Sequence, residues 1–237
     1  MTDDPRLSAA GARWDDDAAA GSWVESRLGP FGPSVGHAVP HGYDAYAVVP
    51  VPRPTDDVPD TGPRFAGTTS LSVLMDVLRV LATRTGGQEV HCALWDGWGF
   101  LYDAGDDPRT APGMAGLRVA ETGTVEHGTV EHGAASDAMG LLRVQRPATP
   151  PLKLPHRRYH LWTGPWRSAG ALAHERGCPP SFVWPEDRTW FVGAPIYTEE
   201  IAVAGTTAMV DAVLADPALR GFGARRAGVD DVLVIDD

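Results

Sequence analysis

The chain has 237 residues, with 20 basic and 31 acidic side chains and a formal net charge of −11. Hydrophobic residues at 43% and charged residues at 22% are globular proportions, which exclude a disordered chain, and the length suits one domain. The acidity argues against nucleic acid as a partner, because phosphate-backbone affinity comes from a basic patch that releases counterions.

Residues 1–20 are rich in Ala, Asp and Gly, carry the run Asp15-Asp16-Asp17 and read as a loose acidic arm that only Trp14 can pin down. Residues 21–237 read as a single domain. Residues 22–28 suggest a short helix capped by Ser22, with Trp23, Arg27 and Leu28 at helical spacing, stopped by Pro30 and Pro33. Residues 43–49 read as a strand, and the proline-studded residues 50–67 as an extended loop. The strongest helix follows, capped by Thr69 or Ser70. Its Leu71, Leu74, Leu78 and Leu81 lie along one face, and Gly86-Gly87 ends it.

Residues 89–95, Asp96-Gly97 and residues 98–102 form a hairpin signal, since Asp-Gly tolerates the positive φ values of a type I′ turn. Residues 103–138 are weakly patterned and include the tandem repeat 124–128 and 129–133 (Thr-Val-Glu-His-Gly), too short for a solenoid and read as a loop. Further strands are expected at residues 141–145, 158–162, 189–197 and 231–235, and helices at 166–175 and 205–215. The irregular mixture implies an α+β fold, a mainly antiparallel sheet with two or three packed helices.

The start, Met1 to Arg6, has no apolar stretch of signal-peptide type, and Asp76 and Arg79 interrupt the best apolar run. A cytoplasmic protein with no membrane association is therefore expected, its Cys92 and Cys178 as free thiols. Lys153 is the single lysine, and 19 of the 20 basic residues are arginine. The bias fits a GC-rich genome or a need for bidentate, stacked contacts. Residues 1–20 hold five Asp against two Arg, and residues 230–237 four Asp and no base, so the body between them is only mildly acidic.

Candidate chemistry is sparse. His156 and His160 would be about 6 Å apart on one helix face, close enough to share a metal. On a strand they are about 13 Å apart, and the neighbouring Tyr, Leu, Trp and Thr favour a strand, so no metal site is expected. Glu126-His127 and Glu131-His132 fall in the repeat and read as a solvated loop. His91 and Cys92 are adjacent strand residues that point to opposite faces, so they form no dyad. Asp96, Glu186 and Asp187 lie beside tryptophans, as in sugar-cleaving sites, and turn geometry accounts for the same residues. Nucleotide, zinc-protease and serine-hydrolase signatures are absent.

Four blocks carry a resemblance: residues 35–47, 93–99, 154–165 and 184–190, with Leu154-Pro155-His156-Arg157 and Trp184-Pro185-Glu186-Asp187-Arg188 the most specific. Together they resemble a family of cytoplasmic proteins from GC-rich bacteria that has no assigned activity. The resemblance therefore implies no site residues. The chain departs from that family in a shorter segment between Pro54 and Leu71 and in its tandem repeat. Residues 39–46 also look like the start of SUKH-type immunity proteins.

Two functions follow as expectations. The first is a non-enzymatic binding or interaction module, of immunity type or otherwise. Its Trp/Arg-lined face would use Trp95, Trp98, Arg157, Arg158, Trp162, Trp166 and Trp184 and engage a protein partner or a small-molecule ligand, without a cofactor. The alternative is a hydrolase or transferase with Asp96, Glu186, Asp187, His156 and His160 in an aromatic cleft.

Overall fold

The central strands are buried on both sides: every residue of Trp190–Gly193 and Glu200–Gly205 is buried, so both faces of their sheet are covered. The computed structural model describes residues 4–51, 66–98, 101, 118–119, 125–126, 144–154, 157–173 and 179–235. The chain divides into two units, one of Met1–Asp96 with Arg146–Asp237 and one of Gly97–Gln145.

In chain order the strands begin with β1 (Arg13–Trp14), β2 (Ala45–Pro50), β3 (Val90–Trp95), β4 (Arg118–Val119) and β5 (Val125–Glu126). They continue with β6 (Leu152–Leu154), β7 (Arg157–Gly164), β8 (Phe182–Pro185), β9 (Trp190–Gly193), β10 (Glu200–Gly205) and β11 (Arg225–Ala227). The helices are α1 (Pro5–Ala9), α2 (Ser22–Glu25), α3 (Val35–Ala38), α4 (Ala66–Ala82), α5 (Thr207–Ala215) and α6 (Pro217–Gly221), with 3₁₀ turns at Ala19–Gly21 and Trp166–Gly170.

Nine strands of the first unit form one sheet in the order β1-β7-β3-β8-β9-β10-β2-β11, with β6 beside β1 on the same edge of β7. Each of its pairings is antiparallel. The expected α+β architecture is therefore present. β4 and β5 make a separate two-stranded ribbon in the second unit. The first copy of the tandem repeat supplies β5; its second copy lies outside the described residues.

Strand alternation sorts the core into two layers. On one face α5 packs over β2 and β10, and α4 over β10 and the Trp166–Gly170 turn. The other face carries Leu161, Phe182, Trp184, Phe191 and Ala202 under Val24, Val35, Ala38 and Val39 of the α2–α3 region. Gly193 permits that approach, since a Cβ there would strike the Ala38 carbonyl oxygen.

The apolar stripe of α4 is buried at Leu74, Leu78 and Leu81, and Gly86 and Gly87 take φ of 69° and 78° as anticipated. The helix begins at Ala66, before the expected cap. Residues 4–20 are not a loose arm. Leu7 and Trp14 are 0% and 2% exposed, and β1 pairs with β7 at Thr163 and Trp162, so two apolar anchors and a sheet edge outweigh the polar composition. The hairpin after Asp96 is also corrected: β3 pairs with β7 on one edge and β8 on the other. β8, β10 and β11 were not anticipated. Residues 231–235 make only isolated bridges, Ser34 with Val232 and Thr198 with Ile235. The strand expected at residues 141–145 is absent at 144–145, and 141–143 lie outside the described residues. Among the described residues no helix is long and apolar enough to cross a membrane.

Candidate functional site

The catalytic candidates are divided between the two faces of the sheet. Asp96, just past the end of β3, accepts from Arg158 at 2.8 Å and meets His160 Nε2 at 2.7 Å. Paired with the Arg158 guanidinium, the Asp96 carboxylate accepts from His160, so His160 carries its hydrogen on Nε2 and a lone pair on Nδ1. That Nδ1 is buried and without a hydrogen-bond partner. Burial pulls the imidazole below its ordinary value, against the opposing hydrogen bond to Asp96. His160 is 4% exposed; it shares its face with Trp14, whose ring centroid lies 6.2 Å away, and with Leu94, opposite in register.

Glu186 lies on the other face, where it meets His91, a residue the spacing argument had set aside. Glu186 Oε2 is 2.7 Å from His91 Nε2, and Thr163 Oγ1 is 2.7 Å from His91 Nδ1. The Thr163 hydroxyl donates to Asp15 Oδ1 at 2.6 Å. Its one hydrogen is thereby used, so it accepts from Nδ1–H, and both ring nitrogens of His91 donate. Burial opposes the resulting charge, but the nearby carboxylates of Asp15 and Glu186 outweigh it, and the His91 value is raised.

Asp187 turns to its own loop. It accepts from Thr189 N and Oγ1 and from Gln88 Nε2, which with the backbone bonds holds it below the usual carboxylate range despite burial. His156 lies outside the described residues. The structure thus brings Asp96 to His160 and Glu186 to His91, on opposite sides of one sheet, and does not gather the candidates into one cleft. Among the described residues no group of three or more His, Cys, Asp or Glu side chains is placed to hold a metal. Cys92 is buried, and burial pushes its thiol up; Cys178 lies outside the described residues.

The binding candidates separate just as clearly. Trp162 and Trp184 are 0% and 1% exposed and are core residues, because both sit within strands covered on two sides. Trp162 donates to the Ser168 carbonyl, and Trp184 stacks on Phe191 at 5.5 Å. Trp166 is half-buried under Arg167, beside α4 on the opposite face from Trp184. Trp98 belongs to the Gly97–Gln145 unit, and Arg158 is engaged by Asp96.

Arg157 and Trp95 remain, and they come together. The Arg157 guanidinium carbon is 5.2 Å from the Trp95 ring centroid, 5.0 Å from Tyr197 and 5.4 Å from Phe31. Among the described residues no carboxylate pairs with it, whereas Arg6, Arg13, Arg79, Arg158, Arg225 and Arg226 each hold one. Phe31 is 48% exposed, and Val232, Val234 and Ile235 are 66%, 49% and 46% exposed. Backbone links draw these segments together: Leu233 N donates to Pro33 O at 2.6 Å, Tyr197 Oη to Gly32 O at 3.3 Å, and Ile235 bridges Thr198. Leu233 is buried, so its neighbours Val232 and Val234 project outward. Beside Arg157 lies a small concavity of about 20 Å³, bordered by Leu28, His37 and Tyr159. Phe31 carried no sequence signal and Tyr197 only closed the strand expected at 189–197; in the structure each lies in a loop.

Compared with known proteins, the chain matches no family model, no curated protein and no solved structure.

Proposed function

We propose that the protein is a non-catalytic binding module whose Arg157 face takes a protein partner presenting a carboxylate among apolar side chains. One observation carries this reading: a guanidinium with no acidic partner among the described residues, held among three aromatic rings, with three further exposed apolar side chains, Val232, Val234 and Ile235, on the linked segment. Arginine braced on aromatic faces keeps its N–H edges for bidentate contacts, and arginine and aromatic residues are the commonest interface anchors. The concavity has room for little more than a water molecule and the exposed apolar groups lie outside its lining, which favours a protein over a small molecule.

The test starts from crosslinking in the native host to identify the partner, followed by affinity measurement with both proteins purified. Arg157→Glu and Phe31→Ser are each expected to weaken binding at least tenfold with thermal stability unchanged. Equal affinity in both variants overturns the proposal.

A hydrolytic or transfer reading has one observation in its favour, the Asp96-oriented His160 with its Nδ1 lone pair, an acid–base arrangement. With His160 4% exposed, a substrate has no path to it among the described residues. His160→Gln abolishing a hydrolase activity of the purified protein would favour that reading.

A further inference from the structure

A second arginine–aromatic cluster stands on the same face of the sheet and does not depend on the Arg157 patch. Trp23, at the start of α2, packs edge-on to Trp184 and Phe191, with ring centroids 6.3 and 5.9 Å away. Arg27 follows one helical turn later, and Arg188 arrives from the β8–β9 turn. Their guanidinium carbons lie 5.7 and 5.0 Å from the centroid of the same Trp23 ring. Both guanidinium groups thus lie within 6 Å of one indole ring, and among the described residues neither has a carboxylate partner. Asp187, next to Arg188, has its oxygens engaged by Gln88 and Thr189.

Neutral donors complete the set. The Trp23 indole N–H and the Tyr43 hydroxyl are buried and have no hydrogen-bond partner. The fields of both Arg27 and Arg188 reach the Tyr43 hydroxyl, as does that of Asp187. Arg188 also takes φ of 57°, the one positive φ on a non-glycine among the described residues, a strained conformation of the kind that accompanies functional sites. An open concavity of about 410 Å³ adjoins the cluster at Ser26, Arg27, Leu28 and His41.

We propose that Trp23, Arg27, Tyr43 and Arg188 form an oxyanion site that takes a phosphoryl group. Two guanidinium charges with two neutral donors match a dianion with three terminal oxygens better than a carboxylate with two. The net charge of −11 opposes indiscriminate capture of anions, so occupancy depends on this local geometry. Free phosphate and a small-molecule phosphomonoester share this chemistry.

The test is calorimetric titration of the full chain at constant ionic strength with inorganic phosphate, phenyl phosphate and acetate. Saturable phosphate binding is expected, weakened at least tenfold by Arg27→Gln and by Arg188→Gly. Arg220→Gln, at an exposed position on α6, should leave it unchanged. Glycine adopts the backbone of residue 188 without strain, so lost binding in Arg188→Gly reports the missing guanidinium and not a lost fold. Tighter binding of phenyl phosphate identifies a phosphomonoester as the ligand, and equal or weaker binding identifies free phosphate. Failure of the wild type to saturate, unchanged affinity in both variants, or acetate binding as tightly as phosphate overturns the proposal. None of these outcomes touches the Arg157 reading.

Discussion

His91 shows how much chemistry one side chain acquires from its surroundings. Both of its nitrogens donate, one to Thr163 and one to Glu186, and Asp15 Oδ2 stands 3.6 Å from Nδ1. The arrangement suits the imidazolium, so its folded value lies above the ordinary 6.5. The charged form therefore adds stability that is fully present in solutions more acidic than 6.5 and is lost as pH rises through the folded value. Urea unfolding across this range should show stability falling with pH in the wild type and a flatter profile in His91→Gln; identical profiles would refute the linkage. Glu186 is 78% exposed at its side chain, so solvent screening holds its share below about 1 kcal/mol. Asp15 is largely buried at its side chain, and Asp15→Asn should cost about 1–3 kcal/mol. None of this is legible in the sequence, because the partners of His91 are 72 and 95 residues away. Alternation along the strand did separate His91 from Cys92 correctly.

Among the elements, the N-terminal segment departs furthest from its composition. β1 has only two residues, yet Trp14 fills a buried position against Trp162 and His160. Trp14→Ala should cost about 3–5 kcal/mol by chemical denaturation. It should also open residues 10–20 to proteolysis while the rest of the chain stays resistant; unchanged protection would show that Leu7 holds the segment alone. A similar constraint governs β9, where a side chain at 193 would collide with the Ala38 carbonyl of α3. Gly193→Ala is expected to destabilise by about 1–3 kcal/mol or more, because backbone cannot yield as a side chain does, and a neutral result would mean that α3 slides freely. Two of the missed strands share one cause. β8 and β10 are buried on both sides, so they lack the apolar–polar alternation that marks a half-exposed strand. The alanines of β10 further suggest helix. α4 was legible because its stripe repeats over several turns and faces one layer.

Across the whole molecule, the nine-stranded sheet draws every strand from Met1–Asp96 and Arg146–Asp237, and among the described residues no strand of Gly97–Gln145 joins it. Replacing residues 97–145 by a glycine–serine linker should therefore leave a chain with a β-rich circular dichroism spectrum and one cooperative unfolding transition. Loss of cooperativity would show that the sheet depends on that unit. The charge distribution changes meaning at this scale as well. Asp4 is 0% exposed and bound to Arg6, and Asp15 belongs to the His91 network, so part of the N-terminal acidity is structural and not a solvated tail. By itself the sequence determined the α+β class, the main helix with its glycine stop, and the central part of several strands, because these depend on periodicity and turn chemistry over a few residues. The tertiary structure alone decided which tryptophans are core, which histidine meets which carboxylate, and which arginines stay unpaired. Those outcomes depend on strand order and on the face each residue occupies, and long-range pairing sets both.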